Sequence, residues 1–283
     1  MESALSCVEG VTAMGQSGKK SSSPAAQYFG EVLRMLRTAA GLSQNELGER
    51  MAYSGAAVSA VETCAKPATD EFIQAAEKAL EAGGIISAAA KYLRLERYPA
   101  HFQGFVQLEQ EAISVSSYCT QFVHGLLQTE DYARALLGCA FPPLEDVELL
   151  VSARMERKAL LDRKPTCVIN VILEEAALRR RVGGSEVLRG QCKYLVACAV
   201  RPNVVLQVMP KDLWAHAGLQ GPLTVLETAE QTTLAYMEGN GHSTLVSSPD
   251  DAGVLARRYA MIRSQALPPE ESVALIERLA GEL

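Results

Sequence analysis

A stretch of 22 residues, GLSQNELGERMAYSGAAVSAVE at positions 41–62, constrains the fold of this chain more than any other. Ser43 followed by Glu46 is the capping-box pattern with which helices begin. A Tyr-Ser-Gly turn ends that helix, and Ser54 caps a second helix on which Val58 marks the buried side. Two short helices joined by so tight a turn predict a helix-turn-helix.

Helical patterns surround this segment on both sides. Before it, apolar residues recur at helical spacing, and two more helix-like runs follow it before residue 98. The first residues are small and polar, as in a disordered arm. The predicted domains are therefore a disordered arm at 1–26, an all-α helix-turn-helix domain at 27–84, a connecting helix and linker at 85–117, and a larger domain at 118–283.

The larger domain mixes amphipathic helices with β-rich runs. One predicted helix places Val147, Leu150, Val151 and Arg154 on the same side. The chain is strand-like at Tyr118, and further β-rich runs are TCVINVIL, NVVLQVMP, GPLTVLET, TTLAYMEG and STLVSS. Helices first, then neighbouring strands, then closing helices predict an α+β domain with a mainly antiparallel sheet. The fold class is thus multi-domain, all-α followed by α+β.

Charge and cysteine content narrow the function classes. Residues 1–98 carry 10 Lys and Arg against 11 Asp and Glu, and the remainder carries 17 against 22, so neither half resembles a strongly basic nucleic-acid binder. No apolar run approaches the roughly 20 residues of a membrane-spanning helix. Seven cysteines without a Cys-x-x-Cys motif indicate reduced thiols in a cytoplasmic protein.

The segment at 41–62 resembles the phage-repressor-like, or Xre-type, helix-turn-helix. The matching residues are Ser43, Gln44, Leu47, Val58, Ser59, Val61 and Glu62. The resemblance implies that the second helix of the pair enters the major groove of double-stranded DNA. The DNA-binding residues it implies, at base edges or phosphates, are Arg37, Gln44, Asn45, Gly55, Ala56, Ser59, Ala60 and Lys66.

The sequence departs from the stronger DNA readers of that family. The base-facing positions Gly55, Ala56, Ser59 and Ala60 lack the bidentate groups that discriminate bases by about 1–3 kcal/mol each. Cys64 stands where the family usually has a helix-ending glycine, so the helix is expected to end differently. We expect weak DNA binding by a monomer and therefore a homodimer. The alternative is a helix-turn-helix that has lost DNA binding.

The second domain resembles that of the WhiJ-type regulators of actinobacteria. The matching segments are GLLQTEDYARALL, RMERKALLDR, ILEEAALRRRVGG, RPNVVLQVMP, HAGLQGPLTVLE, YMEG and ESVALIERLA. The resemblance implies a transcriptional regulator of development or antibiotic production, described as antitoxin-like and often encoded beside a small BldB-like protein. It implies no enzymatic activity, and the sequence contains no motif for a metal site, a cofactor or a catalytic nucleophile.

Polar residues near the ends of predicted strands form the candidate ligand- or partner-binding site of this domain. If those strands are neighbours, the side chains could gather at one rim of the sheet. The alternative is a structural ion-pair network that ties loops together. The candidates are Glu174, Arg179, Trp214, His216, Tyr236 and Glu238.

Two functions remain open. The first is a DNA-binding regulator whose second domain receives a small-molecule effector or a protein partner. The second is an antitoxin-like protein that sequesters its partner, with weak or lost DNA binding. A small apolar pocket in the second domain would favour a ligand, whereas an exposed apolar patch would favour a protein partner.

Overall fold

The computed structural model describes residues 23–95, 100–139, 143–239 and 243–283. The chain divides between Leu93 and Arg94 into two compact units, which we call the helical unit and the sheet unit. In the described part of the chain, no helix has both the length and the apolar character needed to cross a membrane. The predicted arm at 1–26 lies outside the described residues as far as residue 22.

Between residues 23 and 95, five helices build the helical unit. They are α1 Pro24–Ala39, α2 Gln44–Met51, α3 Gly55–Glu62, α4 Asp70–Ala79 and α5 Ile85–Leu95. A side-chain hydroxyl caps each of the first four, and the capping box at Ser43 and Glu46 is formed in full. α1 begins at Pro24, three residues before the predicted domain boundary, because Ser23 caps it and a proline suits the first helical turn.

The core of the helical unit is apolar and continuous. It contains Phe29, Leu33, Leu47, Val58, Phe72 and Ile86. α5 contributes Ile86, Ala89 and Ala90 to this core, although the sequence assigns residues 85–117 to a connector. Gly48 of α2 allows the turn between α2 and α3 to pass close to the α2 backbone, since a Cβ at Gly48 would lie 2.8 Å from the Tyr53 carbonyl oxygen.

The end of α3 corrects one expectation from the sequence. Cys64 adopts the left-handed conformation at φ 58° in spite of its side chain, so the helix ends as it would with glycine. The amides of Ala65 and Lys66 donate to the Ala60 carbonyl oxygen, at 2.7 and 3.1 Å. These hydrogen bonds satisfy the last turn of α3 and hold Cys64 in its strained conformation.

In its described residues, the sheet unit places seven helices around a six-stranded sheet. The helices are α6 Ala100–Glu111, α7 Glu130–Gly138, α8 Leu144–Arg157, α9 Glu175–Arg179, α10 Ser185–Ala199, α11 Pro249–Gln265 and α12 Pro269–Gly281. The strands are β1 Ser114–Cys119, β2 Val168–Glu174, β3 Val204–Met209, β4 Leu223–Glu227, β5 Thr233–Glu238 and β6 Ser243–Val246. Short 3₁₀ helices lie at Gly125–Leu127, Lys158–Asp162 and Ala217–Gln220.

The strand order is β3-β2-β1-β4-β5-β6. The pairs β3–β2 and β2–β1 are parallel, and the remaining three pairs are antiparallel. The predicted fold class, all-α followed by α+β with a mainly antiparallel sheet, is confirmed. The sheet changes from parallel to antiparallel at β1, and such a switch point opens a crevice at the carboxyl end of the strand.

Both faces of the sheet are covered. The larger core lies between one face and α6, α10 and α12, with Val115, Leu173 and Tyr236 pointing into it. The smaller core lies under α11, with Tyr118, Ile172 and Ala235 pointing into it. Because side chains alternate along a strand, neighbouring residues such as Tyr118 and Cys119 belong to opposite faces.

Candidate functional site

The positions that the resemblance assigns to base edges lie on the first two turns of α3, and we call this face the reading surface. Ala56 is exposed there, and Gly55, Ser59 and Ala60 are half-buried. Val58 and Val61 on the opposite side of α3 are buried in the core of the helical unit. The helix therefore presents a smooth backbone with short side chains, whose apolar members can contact thymine methyl groups but cannot bind a base edge with two hydrogen bonds.

Gly55 and Asn45 lie against each other. A Cβ on Gly55 would stand 1.8 Å from the Asn45 Oδ1 atom, so no larger residue fits at this position without moving Asn45. This contact fixes the start of α3 against α2. Asn45 remains exposed beside the reading surface.

A buried network joins α1, α2 and α3 behind that surface. Arg37 donates from Nε to Glu62 Oε1 at 2.6 Å and from Nη2 to Glu62 Oε2 at 3.0 Å, and from Nη1 to the Leu42 carbonyl oxygen at 2.8 Å. Gln44 donates from Nε2 to Glu62 Oε2 at 2.8 Å. The hydrogen bonds that Arg37 donates to Glu62 raise the pKa of Arg37. The sequence predicts DNA contacts for Arg37 and Gln44, whereas these bonds direct both side chains to Glu62.

Exposed cations near the reading surface are few. Lys66, Arg34 and Arg50 are exposed, as are the carboxylates of Glu46 and Glu49. The Ser43 backbone and hydroxyl hydrogen bonds lower the pKa of Glu46, which therefore stays ionised. Exposed charges of both signs therefore occur in the helical unit, and the weak monomer binding expected from the sequence stays a prediction.

The sheet unit contains a cavity of about 590 Å³ at the switch point of the sheet. It lies between the carboxyl end of β1, the start of β4 and the end of β5, with α6 and α8 on its other sides. One wall is aromatic. The Phe105 ring stacks on the Tyr236 ring with their centroids 4.2 Å apart, and the ring centroids of Phe102 and Phe105 are 5.2 Å apart. The volume lies within the range of small-molecule sites.

Two arginines of α8 line the same cavity. Arg157 binds the Glu109 carboxylate of α6 from Nε and Nη2, both at 2.8 Å, and its side chain is only 4% exposed. Arg154 donates from Nη1 to Gln128 Oε1 at 3.0 Å, and the Gln128 amide is oriented by its own bond to the Val123 carbonyl oxygen. Both guanidinium groups are therefore fixed in position.

Gly125 lies beside these guanidinium groups. A Cβ at this position would lie 3.5 Å from Arg157 Nη1 and 3.9 Å from Arg154 Nε, in ordinary contact with both. Next to it, burial and then the charges of Arg157 and Arg154 lower the pKa of His124 to about 3. His124 is thus neutral near pH 7, chiefly because burial disfavours its charged form.

The six candidate residues of the sheet unit do not gather at one rim. Tyr236 and Glu238 lie on the cavity side of the sheet. Glu174 lies on the side of α11, where Tyr118 donates a short hydrogen bond to its Oε1 atom and His216 Nε2 lies 3.4 Å away. Burial and this bond to Glu174 raise the pKa of Tyr118.

Arg179 and Trp214 belong to neither group. Arg179 bonds to Glu175 Oε1 at 2.6 Å and approaches Glu282 at 3.7 Å. Trp214 is 87% exposed in the segment after β3. The sequence analysis grouped all six at one rim, but Glu174 and Glu238 lie on opposite faces of the sheet because side chains alternate along a strand, and Arg179 and Trp214 lie outside the strands.

Sequence reasoning missed Glu109 and left Arg157 unassigned. A signal for Glu109 exists, because it continues the apolar stripe formed by Phe105, Val106 and Ala112 at spacings of three and four. A carboxylate in such a stripe indicates a buried partner. In α8, Arg154 is likewise predicted on the apolar side with Val147 and Val151, both of which are buried.

Comparisons with known protein families give one match in the helical unit and one in the sheet unit. A family model described as "Domain of unknown function (DUF5753)" matches residues 102–278, which is more than half of the chain, and a model described as "Helix-turn-helix domain" matches residues 29–85. The searches of curated proteins and of solved structures returned no match. The helix-turn-helix match supports a DNA-binding regulator rather than an enzyme. α2 and α3 lie within one matched segment and the cavity within the other.

Proposed function

The chain belongs to the family defined by the domain of unknown function DUF5753, and from this membership and its helix-turn-helix domain we propose a sequence-specific transcription regulator whose sheet unit binds an effector. The carrying observation is the reading surface of α3, which is capped, rigidly supported and uncovered within the helical unit. In this proposal Ala56, Ser59 and Ala60 face base edges. Gly55 lets the start of α3 approach the groove closely.

Phosphate contacts are proposed from the rim of the helix pair. Lys66 follows α3 and is exposed, and Asn45 is exposed at the start of α2. Arg37 acts indirectly, since its guanidinium orients Glu62 and through it Gln44. Because one helical unit offers so few contacts, we propose that a homodimer of the Xre type reads two half-sites about one helical turn apart.

The effector is proposed to be a small ligand or a small BldB-like protein, as in the WhiJ-type regulators of development and antibiotic production that the sequence resembles. The cavity beside Tyr236 and Glu238 supports the ligand. A protein partner would need an exposed apolar surface, and Trp214 and Leu219, at 87% and 68% exposure, supply single residues of that kind.

A second candidate is the antitoxin-like protein that sequesters its partner, with weak or lost DNA binding. One observation favours it: Arg37 and Gln44, which the resemblance assigns to DNA, are directed to Glu62. In that case the network serves only to hold the helical unit together. The sheet unit would then use Glu174, His216 and Arg179 only to hold its loops together, which agrees with the contacts that these side chains make.

The two candidates differ in binding to the DNA upstream of the chain's own gene. Fluorescence anisotropy with this DNA, at two salt concentrations and with an unrelated duplex as competitor, measures specific affinity. The variant Ala56→Glu places a carboxylate on the reading surface, where phosphates and base-edge acceptors repel it. We expect specific binding by the native protein and at least a tenfold loss in the variant.

Ala88→Glu is the matched control, because Ala88 is also exposed on a helix of the same unit, α5. It should bind DNA like the native protein. Equal affinity of Ala56→Glu and the native protein would show that α3 does not read DNA. Absence of specific binding, together with a stable complex with the small neighbouring protein, would establish the antitoxin-like alternative.

A further inference from the structure

The cavity at the switch point of the sheet is walled mainly by apolar side chains, which come from helices and strands alike. α6 contributes Phe102 and Phe105, and β5 contributes Tyr236, whose ring stacks on that of Phe105 with their centroids 4.2 Å apart. Leu137 of α7 and Leu150 of α8 line the same space. A molecule that enters it therefore exchanges water for apolar surface on several sides, which favours binding.

The aromatic members of this wall suit a flat ring. Phe102 meets Tyr236 edge-on, with ring centroids 6.0 Å apart and an angle of 63° between the ring planes. Phe122, which follows β1, also lines the cavity and is 41% exposed. A ring bound beside Phe122 removes apolar surface of both partners from water, and aromatic rings gain further from offset or edge-to-face contacts.

The cations of the cavity wall are already engaged. Among the described lining residues, the charged side chains are those of Arg154, Arg157 and Glu238. Arg157 donates to both carboxylate oxygens of Glu109, and its side chain is only 4% exposed. Arg154 donates to Gln128 Oε1 at 3.0 Å, and both arginines interact with further groups. An anionic ligand would therefore compete with partners that both guanidinium groups already have.

Glu238 and His124 offer no better partner for an ionic ligand. Glu238 is exposed, so solvent screens its carboxylate from a cation. Burial, followed by the charges of the two arginines, lowers the pKa of His124 to about 3, so its imidazole is neutral near pH 7. A charged ligand would give up its hydration and find only countercharges that are engaged or screened, whereas an uncharged ring has little hydration to lose.

We propose that this cavity binds an uncharged aromatic small molecule, whose ring lies against Phe102, Phe122 and Leu150. This ligand class rests on the proposed function, in which the sheet unit receives an effector. The apolar wall supplies the affinity. The engaged charges exclude ionic relatives of the ligand, because an anion would have to break existing contacts of the arginines. The cavity thus selects its ligand by charge as well as by shape.

Two fluorescent probes with the same ring skeleton test the proposal on the full chain. N-phenyl-1-naphthylamine is uncharged near pH 7, and 1-anilinonaphthalene-8-sulfonate carries an additional anionic group. We expect saturable binding of one uncharged probe per chain, at least tenfold tighter than binding of the sulfonate. Equal or tighter binding of the sulfonate would overturn the proposal, as would the absence of saturable binding of the uncharged probe.

Two variants of α8 locate the bound probe. Leu150→Trp fills part of the cavity and should weaken binding of the uncharged probe at least tenfold. Leu149→Trp is the matched control, since the neighbouring Leu149 is 48% exposed and is not among the described lining residues. It should bind the probe within twofold of the native protein. Equal affinities of the two tryptophan variants would place the probe outside the cavity and overturn the proposal.

Phe122→Ala tests the aromatic wall without adding a larger side chain. Because Phe122 is partly exposed, the variant should fold like the native protein and bind the uncharged probe about fivefold more weakly. Trp214→Ala removes another exposed ring of the sheet unit and should leave binding unchanged. A loss in Trp214→Ala as large as that in Phe122→Ala would contradict the assignment to the cavity.

The ligand class and the proposed function fail in different ways. DNA anisotropy is measured on the same samples as probe binding. Loss of specific DNA binding with intact probe binding counts against the regulator alone. Specific DNA binding without selective binding of the uncharged probe counts against the ligand class alone.

Discussion

Each unit of this protein contains a buried arginine–glutamate pair, and the two pairs differ in what surrounds them. In the helical unit, Arg37 and Glu62 are closed in by Gln44 and the Leu42 carbonyl oxygen. In the sheet unit, Arg157 and Glu109 are more deeply buried, yet Arg157 lines a cavity.

The difference shows how similar chemistry serves two purposes. A pair that is saturated by neighbours positions the helices that carry it, here α1 and α3. A pair at the edge of a cavity forms part of the wall of that cavity, and it still needs its carboxylate, because a guanidinium left buried without one is costly.

Glu109→Ala should destabilise the sheet unit by about 3–5 kcal/mol, because it leaves the Arg157 guanidinium buried without its carboxylate. Hydrogen exchange of peptides from residues 102–139 would measure the loss. The double variant Glu109→Ala with Arg157→Met should recover part of it, since both charges are then removed. A loss below about 1 kcal/mol would mean that water reaches Arg157 and that the pair is not a buried one.

Glu62→Ala should destabilise the helical unit by a smaller amount, about 2–3 kcal/mol. Arg37 keeps its bond to the Leu42 carbonyl oxygen and is slightly more exposed than Arg157, at 10% against 4% of the side chain. Exchange of amides in residues 24–62 is the measurement, and Glu62→Gln should lose less. An equal loss of unfolding free energy in Glu62→Ala and Glu109→Ala would contradict the idea that the Arg37–Glu62 pair tolerates loss of its carboxylate better.

Acid should weaken the sheet unit through His124. Its pKa is about 3 in the folded protein and about 6.5 in the unfolded chain, so folding favours the neutral form. The resulting stability is fully present above pH 6.5 and is lost as the pH falls below it. Between pH 7 and pH 5 the loss from this group is about 2 kcal/mol.

The variant His124→Asn isolates this effect, because an amide oxygen can replace Nδ1 as the acceptor for the Leu126 amide. Its unfolding free energy should vary less with pH than that of the native protein. Residues 1–98 contain no histidine, so the helical unit supplies an internal reference in the same exchange experiment. Parallel pH profiles for variant and native protein would contradict the depressed pKa.

Cys64→Gly should produce the smallest change, a gain of about 0.5–1 kcal/mol for the helical unit. Glycine removes the strain at φ 58°, but it also increases the entropy of the unfolded chain. Gly41→Ala is the opposite substitution and serves as the control. Gly41 has φ 69° and open space around it, so a Cβ adds strain without a clash. Denaturation curves should move in opposite directions, and a shift of both in one direction would refute the explanation.

The sequence predicts the architecture well because local signals agree with one another. The caps at Ser43, Ser54 and Thr129 are formed as the pattern indicates. The runs from TCVINVIL to STLVSS are strands of one sheet. Such features depend on neighbours in the chain, so one sequence contains the information for them.

The candidate site depends on contacts between distant positions, and there the sequence predicts less. Glu109 and Arg157 are 48 residues apart, and their contact follows from the packing of α6 against α8. Glu174 and Glu238 end two strands of the same sheet, yet they lie on opposite faces because their strands differ in parity. Register sets that parity, and register requires the pairing partners to be known.

The division of labour on α3 has a consequence for how such a protein changes over time. Val58 and Val61 hold the helix in the core, while the side chain of Ala56 is exposed. A substitution such as Ala56→Arg therefore changes the surface of α3 at little cost in stability. If α3 reads DNA as proposed, duplicated copies of such a chain would acquire separate operators one residue at a time, while each retained the same sheet unit.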